Sequence, residues 1–257
     1  MDLGINGRVA IVAAASQGLG KGSAAALARE GARVAIVSRR PEELQHTARE
    51  IGAALAVPCD LSRADDIQAA VERVKTELGP VSILVNNCGG PPAGTFDSIS
   101  EEQWDFAYQQ VFLSTLRMTR AVLPMMREAR WGRIIIIVST SVEQPIPGLI
   151  ISNAFRPALA GWAKTLASEL GPENILVNCV SPGRMLTART GELDNAMADR
   201  TGKPVETIRA ERSVNVPLKR YGTTEEFGEV ITFLASERAA FVTGSVIRVD
   251  GGAVSSI

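Results

Sequence analysis

Short runs of consecutive apolar, often β-branched residues alternate along this chain with stretches whose apolar positions recur every three or four residues. The runs predict strands at Arg8–Ala13, Arg33–Ser38, Ala54–Pro58, Val81–Asn86, Arg133–Ser139, Ile175–Val180 and Val246–Val249. Several are apolar at consecutive positions, which suits strands buried on both faces of a parallel sheet. The intervening stretches carry helix signals. Ser62 precedes Asp65 by three residues, and Ile67, Val71, Val74 and Leu78 then share one face. Ser100 with Gln103 predicts a capping pair ahead of a long helix to about Met126. Thr223 with Glu226 predicts another, followed by Phe227, Val230, Ile231 and Leu234.

This alternation implies right-handed βαβ crossovers. The expected fold class is α/β, a Rossmann-like doubly wound parallel sheet of about seven strands with helices on both faces. With 257 residues and no repeat or linker, residues 1–257 are expected to form one domain. The least regular stretch, polar Thr187–Tyr221, is expected to be a mobile lid over a pocket.

Composition narrows the function classes. Lys plus Arg number 27 against 28 Asp plus Glu, so a net charge of −1 gives no case for nucleic acid or an anionic membrane. An apolar run such as Ile134–Val138 is far too short for a bilayer, and MDLGINGRVA lacks the regions of a secretory signal. Cys59, Cys88 and Cys179 are an odd set without metal spacing, so neither a disulfide framework nor a metal is expected. The implied compartment is reducing and cytoplasmic.

The first strand runs straight into Ala14-Ala15-Ser16-Gln17-Gly18-Leu19-Gly20, and an alanine-rich helix follows. A helix start offers free N–H groups and a positive dipole end to a pyrophosphate, and glycines let the backbone come close. The second strand ends at Ser38-Arg39-Arg40. A carboxylate there would bond a ribose 2′-hydroxyl, whereas arginines suit a 2′-phosphate, so NADP(H) is favoured over NAD(H).

Taken over essentially its whole length, the chain resembles the classical short-chain dehydrogenase/reductase family, closest to its 3-oxoacyl-carrier-protein reductase-like members. Ala13 to Gly20 stands where the family has T-G-x-x-x-G-[IL]-G. Asp60, with Leu61 beside it, follows the third strand, where the family's aspartate contacts adenine. Asn86-Asn87-Cys88-Gly89 matches N-N-A-G, Ser181-Pro182-Gly183 with Thr187 matches P-G-x-x-x-T, and Val249-Asp250-Gly251-Gly252 matches V-D-G-G. The resemblance implies cofactor contacts from these segments, a small carbonyl or alcohol substrate, and a homodimer or homotetramer packed through the fourth and fifth long helices. Trp104, Phe112, Trp162 and Leu166 are candidates for that face.

The family's Asn-Ser-Tyr-Lys set is only partly present. Ser139 matches the serine that holds the substrate oxygen. Ser152 stands at the tyrosine position, Arg156 at the lysine position and Val111 at the asparagine position. Ala13 and Ala14 replace the turn's threonine and first glycine. A serine hydroxyl is a far weaker acid than a phenol of pKa near ~10, and arginine is no proton donor near neutrality. Arg156 keeps the positive charge and could bond ribose hydroxyls. Pro157 predicts that its helix begins near Ser152–Arg156, capped by Ser152 or Asn153. If Ala14 takes a positive φ, it costs roughly 1–2 kcal/mol. Cys88 reads as a small apolar filler, and Glu143 and Gln144 as residues near the pocket mouth. His46 has no assigned role. Neither Tyr108 nor Tyr221 can be given the missing phenol's part from sequence. Two functions follow: an NADP(H)-dependent carbonyl reductase or alcohol dehydrogenase with an altered proton path through Ser139, Ser152 and Arg156, or a non-redox dinucleotide-binding or assembly protein on the same scaffold.

Overall fold

The computed structural model describes residues 2–256. Seven strands form one parallel sheet: β1 (Val9–Ala13), β2 (Arg33–Ser38), β3 (Leu55–Pro58), β4 (Val81–Asn86), β5 (Gly132–Ile137), β6 (Ile175–Pro182) and β7 (Val246–Val249). Their order is β3-β2-β1-β4-β5-β6-β7. All seven strands read from the apolar runs are present. The alternation of β1 side chains feeds two cores: Val9, Ile11 and Ala13 face one, Ala10 and Val12 the other.

Helices cover both faces. On one side α3 (Ala64–Leu78), α5 (Ser114–Ala129) and α6 (Ile150–Leu170) bury Ile67, Val71, Met118, Val122, Leu159 and Ala163. On the other, α1 (Gly18–Arg29), α2 (Pro41–Ile51) and α9 (Thr224–Ala235) bury Leu27, Leu44, Phe227 and Ile231. The order reverses direction between β1 and β4, which opens a crevice at the carboxyl ends of those strands.

The capping pairs divide two to one. Ser100 with Gln103 and Thr223 with Glu226 form reciprocal boxes at α4 (Glu101–Ala107) and α9. Ser62 does not cap α3. Arg63 holds that position, and the Ser62 hydroxyl donates to Asp60 Oδ1 at 2.8 Å. The expected long helix is α4 plus α5, joined through a π-helical turn at Tyr108–Leu113 with Val111 buried on its inner side.

Two helix expectations are corrected. Helix α6 begins at Ile150 with no side-chain cap, and Pro157 lies inside it. Ser152 is therefore within the first turn. Asn153 turns outward, donating from Nδ2 to the Ile146 carbonyl and accepting from the Ile146 N–H. Burial of Ile151, Leu159, Ala163 and Ala167 holds the helix across the break that proline makes in its ladder. Thr187–Tyr221 is not irregular: it holds α7 (Ala188–Thr201), capped by the Thr187 hydroxyl, and α8 (Val205–Ser213). Its polarity reflects exposed helical faces rather than loop. Among the described residues, no helix is long and apolar enough to cross a membrane.

Close packing of α1 on α9 sets where the first turn of α1 points. A Cβ on Gly228 would stand 2.5 Å from the Gly22 carbonyl oxygen, so the two backbones touch. Gly228→Val should therefore lower unfolding free energy by about 1–3 kcal/mol, the usual cost of overpacking. Urea denaturation followed by circular dichroism measures this directly.

Candidate functional site

A large cavity of about 1090 Å³ opens at the carboxyl ends of the strands. Among the predicted cofactor residues, Ala14, Ser16, Gln17, Gly18, Leu19, Ser38, Arg39, Arg40, Leu61, Asn87, Cys88, Gly89, Arg156, Pro182, Gly183 and Thr187 line it, and so do Ser139 and Ser152. Only Gly20 and Asp60 stand outside. Gly20 instead packs against the turn, where a Cβ would meet the Ala14 carbonyl oxygen at 2.5 Å. Asp60 turns its carboxylate back on Ser62, accepting from both its N–H (3.0 Å) and its hydroxyl. Burial pushes the Asp60 pKa up, but those two bonds and the nearby Arg39 and Arg63 outweigh it and hold it below the usual value.

The turn after β1 is built for an anion. Ala14 adopts φ +47, the left-handed conformation that a glycine would take without strain. Its carbonyl is held by Asn87 Nδ2 at 3.2 Å, and the Ala15 N–H bonds Val37 O at 3.2 Å. Thr47 Oγ1 fixes the Ser16 carbonyl at 2.8 Å. Gln17 gives α1 no side-chain cap, so the N–H groups of its first turn keep no capping partner and face the cavity end. These features fit a pyrophosphate. Beside them, the Ser16 and Ser38 hydroxyls lie 3.2 Å apart. Arg40 pairs with Glu43 at 2.7 Å, leaving Arg39, without a carboxylate partner among the described residues, as the free cation next to them.

At the far end, Ser139 caps a short 3₁₀ turn, its Oγ accepting from the Ser141 N–H at 3.1 Å. Its hydroxyl proton remains free to bond a ligand. Ser152 is buried and its Oγ lies 3.3 Å from Ser141 Oγ, a hydroxyl pair that the sequence did not signal. Arg156 is 6% exposed. It donates from Nη1 to Ile137 O at 2.6 Å and from Nη2 to Cys88 Sγ at 3.2 Å. Its Nε has no partner, and no carboxylate lies within ion-pair distance among the described residues. Cys88 is thus no inert filler; it accepts from a guanidinium. Cys59 and Cys179 are pushed up to about 12, chiefly by burial, and Arg156 offsets this slightly at Cys179.

Neither tyrosine supplies the missing phenol. Tyr108 stacks on Phe112, and Tyr221 donates to Asp194 at 3.2 Å. Glu143 pairs with Arg248 at 3.0 Å rather than lining the cavity, whereas Gln144 does line it. His46 is exposed beside Glu50. Sequence reasoning did not anticipate that Gln110, Arg184, Arg189 and Arg212 also line the cavity. Nothing local marks them, because α7 and α8 bring the last two across from a distant segment.

An uncompensated buried cation costs folding free energy. Arg156→Met should leave the stability of the protein without ligand unchanged or higher, while weakening dinucleotide binding. Thermal unfolding with and without added NADPH reads both effects; a large loss of stability without ligand would make the arginine structural.

The comparisons agree with this architecture. The family model described as enoyl-(acyl carrier protein) reductase matches residues 13–254. Nodulation protein G of Rhizobium sp. (strain N33) is 35% identical over 249 residues, 96% of this chain and 97% of that protein. A 3-oxoacyl-(acyl-carrier-protein) reductase of Aquifex aeolicus (strain VF5) is 32% identical over 257 residues, 98% and 99% of the two chains. The L-sorbose reductase of Gluconobacter frateurii, solved with NADPH and L-sorbose, superposes with a TM-score of 0.95 at 32% identity, covering 100% of both chains. Sheet order, cavity and these matches together place the chain in the short-chain dehydrogenase/reductase family of oxidoreductases.

Proposed function

We propose that this protein is an NADP(H)-dependent reductase of small carbonyl compounds, or dehydrogenase of the corresponding alcohols, with an altered proton path. The observation that carries the reading is that Ser139, Ser152 and Arg156 line the same cavity as the phosphate turn and Arg39. The NADPH-bound L-sorbose reductase, which shares the whole fold, supports the cofactor.

In this reading the first turn of α1, with Ser16, Gln17, Gly18 and Leu19, holds the pyrophosphate. Ser38 and Arg39 hold the 2′-phosphate, with Arg40 held back by Glu43; Leu61, Asn87, Cys88 and Gly89 flank the riboses; Pro182, Gly183 and Thr187 border the nicotinamide. Bound NADPH would supply the hydride. Ser139 donates a hydrogen bond from its free hydroxyl to the substrate oxygen. Arg156 stabilises negative charge as it develops there. Ser152, paired with Ser141, passes a proton inward from water. General acid help from a tuned phenol is typically worth ~10²–10⁴-fold, so turnover is slower than in relatives with the Tyr-Lys pair.

The non-redox reading loses ground because Ser139, Asn87, Pro182 and Gly183 remain together on one cavity, and two of the relatives above are reductases by name. We further place the protein in a reducing, cytoplasmic setting, since Cys59, Cys88 and Cys179 are buried and unpaired. A homodimer or homotetramer through the α4–α6 side is supported by its aromatic cluster of Trp104, Tyr108, Phe112 and Phe155, with Phe106 exposed beside it.

Ser139→Ala should lower kcat by about 10²–10³-fold in a carbonyl screen while NADPH affinity stays unchanged. A variant as active as wild type would sink the scheme. Independently, NADPH should raise the thermal midpoint more than NADH does. Arg39→Glu should reverse that order by removing the one unpaired cation at the 2′-phosphate end.

A further inference from the structure

The two lid helices hold a charge cluster that the proposed chemistry does not use. Asp194 of α7 is fully buried. Its Oδ1 accepts from Arg212 Nη1 of α8 at 2.5 Å and from the Tyr221 hydroxyl at 3.2 Å. Its Oδ2 lies 3.4 Å from Arg209 Nε. One carboxylate therefore serves two guanidiniums, and the cluster keeps a net positive charge.

The two arginines face different spaces. Arg209 borders a separate shallow groove with Lys219 and Tyr221, whereas Arg212 lines the main cavity. Arg212 has a side chain only 20% exposed, so little solvent competes for its remaining N–H donors. Arg184 lines the same cavity and has no carboxylate partner within ion-pair distance among the described residues. Glu192, the one acidic side chain on this wall, is engaged by Arg189 at 3.4 Å. The same lining includes the apolar side chains of Pro145, Ile146, Met185, Leu193 and Val254. The cavity that holds Ser139 thus offers both apolar surface and a cation anchored by a buried carboxylate.

We infer that Arg212 recognises an anionic group on the substrate, and that Asp194 is the positioning residue that aims it. The substrate class is a carbonyl compound with an apolar body and a carboxylate remote from the reacting carbon. A guanidinium clamped by a buried carboxylate on one edge presents its other edge in a fixed orientation, the geometry for a charge-assisted bond to a carboxylate. This inference rests on the carbonyl-reductase reading for the words "reacting carbon", but the anion site itself can be tested without turnover.

The probes are 4-acetylbenzoate and its methyl ester, which match in body and differ in the charge. Calorimetry on protein loaded with NADP⁺ should give the acid at least about tenfold tighter binding than the ester. Arg212→Gln should abolish that preference with NADP⁺ affinity unchanged, and Arg212→Lys should restore part of it. Asp194→Asn should raise KM for the acid several-fold while leaving kcat and the KM for NADPH in place. Equal affinities in wild type, a preference that survives Arg212→Gln, or no acid binding at millimolar concentration would each overturn the inference. If the acid binds selectively but no reduction occurs, the redox reading fails and the anion site stands.

Discussion

Seven strands that all run the same way force every connection to return from the carboxyl edge of the sheet to its amino edge. Both faces are covered by helices, because strands with consecutive apolar residues bury side chains on both sides of the sheet. Backbone turns that bind ligands are thereby confined to one edge. The phosphate turn after β1, the Asn87-Cys88 turn after β4, Ser139 after β5 and Pro182-Gly183 at the end of β6 are neighbours for this reason alone. They are separated by scores of residues in sequence. The strand reversal between β1 and β4 spreads those turns apart and makes the crevice.

Within that crevice, charge is arranged almost entirely with arginine. Arg39 after β2, Arg156 of α6, Arg184 after β6, Arg189 of α7 and Arg212 of α8 all line it. Those with partners among the lid residues are held by carboxylates, while Arg156 has only a carbonyl and a thiol. A guanidinium offers a planar fork of donors, and here the carbonyl and the thiol occupy only part of it. In the proposed reading, arginine at the lysine position keeps a cation beside the substrate oxygen, while the tunable tyrosine–lysine pair is gone. Ser152 fits that change. Its hydroxyl pairs with Ser141 rather than with the cation.

The lid shows how a polar sequence can become a fixed structure. Ordinary amphipathic reading finds few apolar anchors in Thr187–Tyr221, because its helices have little buried apolar surface. Their order depends on a buried carboxylate, two arginines and a tyrosine hydroxyl drawn from three separate segments. Each of these residues, viewed in its own neighbourhood, resembles a solvated side chain.

Periodicity and turn chemistry in the sequence determined all seven strands, the parallel sheet, two of three capping pairs and the glycine turn that leads from β1 into α1. Those features are local, and a local energetic preference leaves a local pattern. The Ala14 strain was legible conditionally, once a turn of this type was assumed; its φ of +47 realises it. The start of α6 was not legible, because Pro157 weighs against a helix there and burial of Ile151 and Leu159 overrules it. Only the tertiary structure decided the environment of Arg156, the retreat of Asp60 to Ser62, the loss of Arg40 to Glu43 and the Asp194 cluster. All four are questions of which partner a charged group finds. That choice depends on distance in space, and the chain order carries little of it.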